Sequence, residues 1–104
     1  MKPKYDPVDD SEKKLQSYEN LEEGLRRSET YANPSDTCDI CGKSFANRRF
    51  MIDGSLKEQR LMWACMCSCC FLTQGEGIGW GKGQLYTQLD NDEWLMTAGF
   101  PLDE

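Results

Sequence analysis

Apolar residues recur at close to helical spacing from Leu15 through Tyr18, Leu21 and Leu25. They predict one amphipathic helix over residues 12–32 with a narrow apolar stripe. Ser11 is placed to cap its start, and Glu12 lies where the helix dipole favours an acid. Gly24 weakens the middle by about 1 kcal/mol relative to alanine. Asn33-Pro34 ends the helix, because the residue before a proline is pushed out of the helical region. The stripe is expected to pack on the rest of the domain. Ahead of it, residues 1–10 hold two prolines and three aspartates and read as a disordered segment.

From Thr37 the period shortens to that of strands and turns. Residues 45–52 predict a strand, Asp53-Gly54 a turn, and residues 60–66 the return strand. On that return strand Leu61, Trp63 and Cys65 share one face, and Met62, Ala64 and Met66 the other. Residues 84–89 and 93–97 predict a second hairpin, closed by Asp90-Asn91-Asp92. Residues 98–104 form a short acidic tail.

Two cysteine pairs share one spacing, Cys38-x2-Cys41 and Cys67-x2-Cys70, and the chain contains no histidine. A tetrahedral site here has to be closed by thiolates alone. Gly42 follows Cys41 where a positive φ is often required, whereas Phe71 follows Cys70 with no such freedom. The 25 residues 42–66 between the pairs suit a hairpin that brings its two ends together. Cys38, Cys41, Cys67 and Cys70 are therefore the expected ligands of one Zn²⁺ per chain, with iron the alternative because a four-sulfur site suits both. Cys65 is expected to pack as a small apolar side chain and Cys69 to be a spare thiol. A thioredoxin-type redox pair needs a strand–helix–strand context that this pattern lacks.

These elements predict a small metal-stapled α+β protein: a zinc ribbon of short antiparallel hairpins around a four-cysteine site, with an N-terminal helix. Its expected parts are the segment 1–10, a helical arm 11–34, the ribbon 35–97 and the tail 98–104. The chain has 104 residues and is 38% hydrophobic, so a metal staple compensates for a small core. No apolar leader follows Met1 and no apolar run approaches 18 residues. These features predict a cytoplasmic protein with no membrane span, in a compartment where paired cysteines bind metal more often than they form disulfides.

The net charge of −6 is unevenly spread: residues 1–36 carry −3, residues 37–83 carry +2 and residues 84–104 carry −5. The molecule as a whole repels nucleic acid, although its central segment could touch a phosphate. Within that segment, residues 75–83 place glycine at every odd position. If extended, they present one bare side for close approach and Glu76, Ile78, Trp80 and Lys82 on the other. The spacing matches neither a P-loop nor a dinucleotide fingerprint.

Several strings taken together carry a resemblance: Cys38-x2-Cys41-Gly42-Lys43, Phe50-x2-Asp53-Gly54, Trp63-Ala64-x-Met66-Cys67-x2-Cys70 and Gly77-x-Gly79-x-Gly81-x-Gly83-Gln84-x-Tyr86. Over residues 37–86 the chain resembles a group of small, uncharacterised zinc-ribbon proteins of bacteria, phages and mobile elements. The resemblance implies the same four ligands and implies no enzyme activity.

Two functions are expected from this reading. The first is a noncatalytic module that binds another protein, one with a basic surface, as an adaptor or an inhibitor of a host nucleic-acid machine. The alternative is a nucleic-acid-binding regulator in which Lys43, Arg48, Arg49, Arg60 and Lys82 meet phosphates and Trp63 or Trp80 stacks on a base. An enzyme is disfavoured, because there is no histidine for acid–base work and four thiolates leave no open metal position.

Overall fold

The computed structural model describes residues 2–27, 30–31 and 34–101, apart from the side chains of Thr30, Tyr31 and Arg60. The helical region expected over 12–32 is broken into α1 (Asp10–Leu15), a 3-10 turn (Gln16–Tyr18) and α2 (Leu21–Arg27). Asp9, not Ser11, caps α1: its carboxylate accepts from the Glu12 N–H at 3.0 Å. The break falls where Asn20 starts a second helix, its Oδ1 accepting from the Glu23 N–H at 3.1 Å. The Asn20 N–H donates outward to the Thr97 carbonyl at 2.7 Å, so docking on the sheet replaces a turn of helix. Residues 30–31, expected to be helical, form the two-residue strand β1 (Thr30–Tyr31). Asn33, the expected stop, lies outside the described residues.

The remaining elements are β2 (Phe50–Leu56), β3 (Gln59–Met66), α3 (Ser68–Gln74), β4 (Gly83–Gln88) and β5 (Trp94–Ala98). They form one antiparallel five-stranded sheet in the order β1-β5-β4-β2-β3. The hairpins β2–β3 and β4–β5 lie side by side, and the chain crosses between them through α3 and the glycine-rich segment. Asp53-Gly54 is not a turn. It lies inside β2, and the hairpin closes at Lys57-Glu58 instead. Gly54 is needed for packing, since a Cβ there would sit 2.9 Å from the Lys82 carbonyl oxygen and the Gly83 Cα.

β3 is an edge strand and it bulges. Ser55 pairs with Trp63 while the next residue, Leu56, pairs with Gln59, which leaves Arg60, Leu61 and Met62 without partners on β2. The expected even alternation along β3 is lost there, and Leu61 is 99% exposed.

The core collects Leu15, Phe50, Ile52, Met66, Phe71 and Leu85 between the helices and the sheet. α2 crosses β5 so closely that a Cβ on Gly24 would lie 2.4 Å from the Met96 carbonyl oxygen. Residues 2–4, expected to be disordered, extend the sheet beyond β4: the Lys4 N–H donates to the Gln88 carbonyl at 2.7 Å and the Asp90 N–H to that of Lys2 at 2.9 Å. At the other end, Phe100 packs against the core, and residues 102–104 of the acidic tail lie outside the described residues. No helix among the described residues is long and apolar enough to cross a membrane.

Candidate metal centre

The first cysteine pair sits in a tight loop closed by a Thr37–Ser44 bridge. The Cys38 N–H donates to the Lys43 carbonyl at 2.8 Å, and the Gly42 N–H returns to the Cys38 carbonyl at 2.9 Å. This reversal requires Gly42 at φ +79°, in the left-handed region where a Cβ is unfavourable.

The second pair is built differently. Cys67 ends the extended run of β3 and occupies the N-cap of α3, while Cys70 lies one turn inside the helix. The Phe71 N–H donates to the Cys67 carbonyl at 2.9 Å. Helical winding brings the two sulfurs together, so no glycine is needed after Cys70. The expectation of two like knuckles is met only by the first.

The loop, the β2–β3 hairpin and the start of α3 bring the four sulfurs within 4.8 Å of one another. Cys41 Sγ and Cys67 Sγ are 3.7 Å apart. An ion with four metal–sulfur bonds of about 2.3 Å in tetrahedral array has sulfur–sulfur edges of about 3.8 Å, so the donor set fits. Cys38, Cys67 and Cys70 are buried and Cys41 is exposed, and all are free thiols.

Electrostatics point the same way. Burial disfavours the Cys38 thiolate, but backbone N–H groups of Cys41, Cys67 and Ile40 outweigh it and bring the thiol down to about 7. The Ile40 N–H lies 3.4 Å from the Cys38 sulfur. Burial, and then the neighbouring sulfurs, push Cys70 up, and burial above all raises Cys67. The scaffold thus favours one thiolate and penalises the next. A divalent cation among the four sulfurs would reverse that penalty.

Asp39, which the sequence reading passed over, holds the two halves together. Its N–H donates to the Cys65 carbonyl at 2.8 Å, and its Oδ2 accepts from the Cys65 N–H at 2.8 Å. The free edge of β3 is thereby tied to the first loop. The signal was an acid between the two cysteines of a pair, but its partner was not readable. Cys65 itself is buried, and Cys69 is exposed on α3.

The structure does not gather the other expected contact residues. Arg49 is buried, its Nη2 donating to Glu19 Oε1 at 2.6 Å and its Nη1 to the Tyr5 carbonyl at 3.0 Å. Arg48 donates to Asp9 Oδ2 at 2.5 Å. Both arginines hold the N-terminal region against the sheet, a role that replaces the expected one at the surface. Lys43 and Lys82 are exposed, and the Arg60 side chain lies outside the described residues. Trp80 is 57% exposed and forms an open cleft of about 290 Å³ with Trp63, Gly81 and Gln84.

The glycine segment is a folded loop, not an extended ladder. The Glu76 N–H donates to the Ser55 carbonyl and the Ser55 N–H to that of Lys82, at 2.9 and 2.8 Å. Gly77 and Gly81 take φ values of +152° and +86°.

In comparisons with known proteins, the chain matches no family model, no curated protein and no solved structure.

Proposed function

We propose that this chain is a noncatalytic, zinc-stapled module of the ribbon type that binds another protein. The ion is one Zn²⁺ held by Cys38, Cys41, Cys67 and Cys70, all of its positions filled by protein, so it builds the fold and leaves no site for water or substrate. The sulfur spacing and the resemblance over residues 37–86 support this reading.

One observation favours a protein partner. Leu61, Met62, Trp63 and Trp80 are all exposed on or beside the bulged edge strand. Exposed apolar and aromatic clusters of this kind mark association surfaces. The acidic ends favour a basic partner, such as the nucleic-acid-binding face of a host machine that the module would bridge or block. Affinity isolation of the tagged chain, beside its Trp63→Ala/Trp80→Ala variant, tests this. The reading predicts a stoichiometric partner that is lost in the variant and weakened by salt. A partner retained by the variant removes the apolar edge from the account, and a salt-insensitive complex removes the charge argument.

The Trp63–Trp80 cleft with Lys82 nearby also favours a second reading, stacking on a single-stranded nucleic acid. A gel-shift titration on single- and double-stranded DNA and RNA at low salt separates the two. With Arg48 and Arg49 in ion pairs, Lys43 and Lys82 are the exposed cations left to this reading from its expected set among the described residues.

A further inference from the structure

At the opposite end of β4 from the Trp63–Trp80 cleft, a second cleft of about 430 Å³ opens between the 34–46 loop and the end of the β4–β5 hairpin. Its size falls in the range of pockets that take small ligands (about 300–1,000 Å³). Phe45 and Trp94 line it, packed edge to face with ring centroids 6.2 Å apart at 74°.

Gln88 also lines this cleft and is only 7% exposed, yet its Oε1 is buried without a hydrogen-bond partner among the described residues. Such an acceptor is expensive to bury without a donor and rare in folded proteins. Around the mouth stand Asp36 and Asp92. Asp36 has no side-chain hydrogen bond or ion pair among the described residues, while Asp92 pairs with Lys4. Of the hydroxyls that line it, Ser35 already donates to the Thr37 carbonyl at 3.0 Å, while Ser44 Oγ accepts from the Ala46 N–H at 3.1 Å and keeps its own O–H.

We infer that this cleft is a binding site for a guanidinium group, the side chain of an arginine presented by a partner protein. The site offers acceptors and negative charge over an aromatic floor. A guanidinium carries donors in a planar fork and would meet an outer carboxylate and, once the Gln88 carboxamide turns its oxygen to the cleft, that inner acceptor together, where an ammonium is a single point of charge. The Lys4–Asp92 pair shows the chain already seating a cation at this rim. The inference rests on the protein-binding reading above and adds to it a pocket separate from the apolar edge.

The test uses the purified metal-loaded chain, ¹⁵N-labelled, titrated with Nα-acetyl-arginine amide and followed at the Trp94 indole and Gln88 carboxamide signals. Nα-acetyl-citrulline amide, the neutral isostere, and Nα-acetyl-lysine amide are the controls. Saturable shifts with the arginine probe are expected, about tenfold weaker binding with citrulline, and about tenfold weaker binding of arginine by Asp36→Asn. Gln88→Met should abolish saturation, and Asp36→Asn keeps the test valid if Gln88→Met fails to fold. No saturable shift, or equal binding of arginine and citrulline, overturns the site. Equal binding of arginine and lysine overturns the guanidinium assignment. A chain that ignores the probe yet holds a partner through Trp63 and Trp80 loses this inference and keeps the reading it rests on. A saturable arginine response with no protein partner does the reverse.

Discussion

Asp39 and Cys65 exchange two hydrogen bonds: the Asp39 N–H reaches the Cys65 carbonyl and the Asp39 carboxylate receives the Cys65 N–H, both at 2.8 Å. Neither is among the four clustered cysteines. The pair locks the loop carrying Cys38 and Cys41 onto the strand that leads into Cys67, and so sets the distance between the halves of the sulfur cluster. Asp39→Ala should leave the chain folded at saturating metal but weaken metal affinity by about 10- to 100-fold, as loss of an outer-shell partner does. Competition against a chromophoric chelator measures this, and unchanged affinity would show that the loop needs no such tie.

Cysteine substitutions should divide into two groups. Cys38→Ser and Cys67→Ser are expected to lose the metal and the compact fold, while Cys69→Ser, on an exposed side chain, keeps both. Cys65→Ser should keep the metal as well. Metal content and circular dichroism of the four proteins check the division, and equal damage from all four would show that the ligands are misassigned.

The ion pair of Arg49 and Glu19 is nearly enclosed, with side-chain exposures of 10% and 7%. Glu19 also accepts from the Thr87 hydroxyl at 2.6 Å. Arg49→Met would strand this carboxylate and should cost about 3 kcal/mol, as breaking one side of a buried pair does. Urea unfolding should report the loss equally at low and high salt. A change confined to low salt would mean that the pair is solvent-screened.

Asp9 caps α1, binds Ser11 and pairs with Arg48. Burial opposes its ionisation, but the Ser11 hydroxyl, Arg48 and the Glu12 N–H together lower its carboxyl to about 2. A carboxylate depressed on folding adds stability above its unfolded value of 3.8 that fades as pH falls through the folded one. Acid unfolding should therefore include a loss between about pH 4 and pH 2 that is absent in Asp9→Ala. At neutral pH that variant should cost about 1 kcal/mol through the lost cap. A wild-type acid limb identical to the variant's would contradict this role.

Gly24→Ala sets two effects against each other. Helix propensity alone predicts a gain of about 1 kcal/mol. The Met96 carbonyl oxygen, 2.4 Å from the new Cβ, predicts overpacking and a loss of about 1–3 kcal/mol. Thermal unfolding should show the loss, and a raised Tm would mean that α2 can move off β5.

The parts of this fold that were legible in the sequence are those set by local spacing. The cysteine pairs declare themselves because two ligands on one turn need two intervening residues. The β4–β5 hairpin came within a residue of expectation because its turn residues and apolar run are contiguous. Gly54 misled, since Asp-Gly is a turn signal in isolation and only the neighbouring Gly83 shows that the glycine serves close strand packing. The split between α1 and α2 was written in Asn20-x-x-Glu23 but hidden by an apolar stripe that runs through the break. By itself the sequence reads Glu12 as an acid favoured at a helix start and Arg49 as a phosphate contact, and nothing local marks Glu19. Glu12 instead accepts from the Phe50 N–H at 2.8 Å inside the core, a long-range contact that spacing does not encode.

The most direct test is native mass spectrometry of the purified chain with and without a strong chelator, with circular dichroism on the same samples. The account predicts a mass corresponding to one Zn²⁺ per chain, and loss of the compact charge-state distribution and of ordered structure when the ion is withdrawn. A chain that is natively folded while carrying neither zinc nor iron, and that is indifferent to chelation, would contradict it.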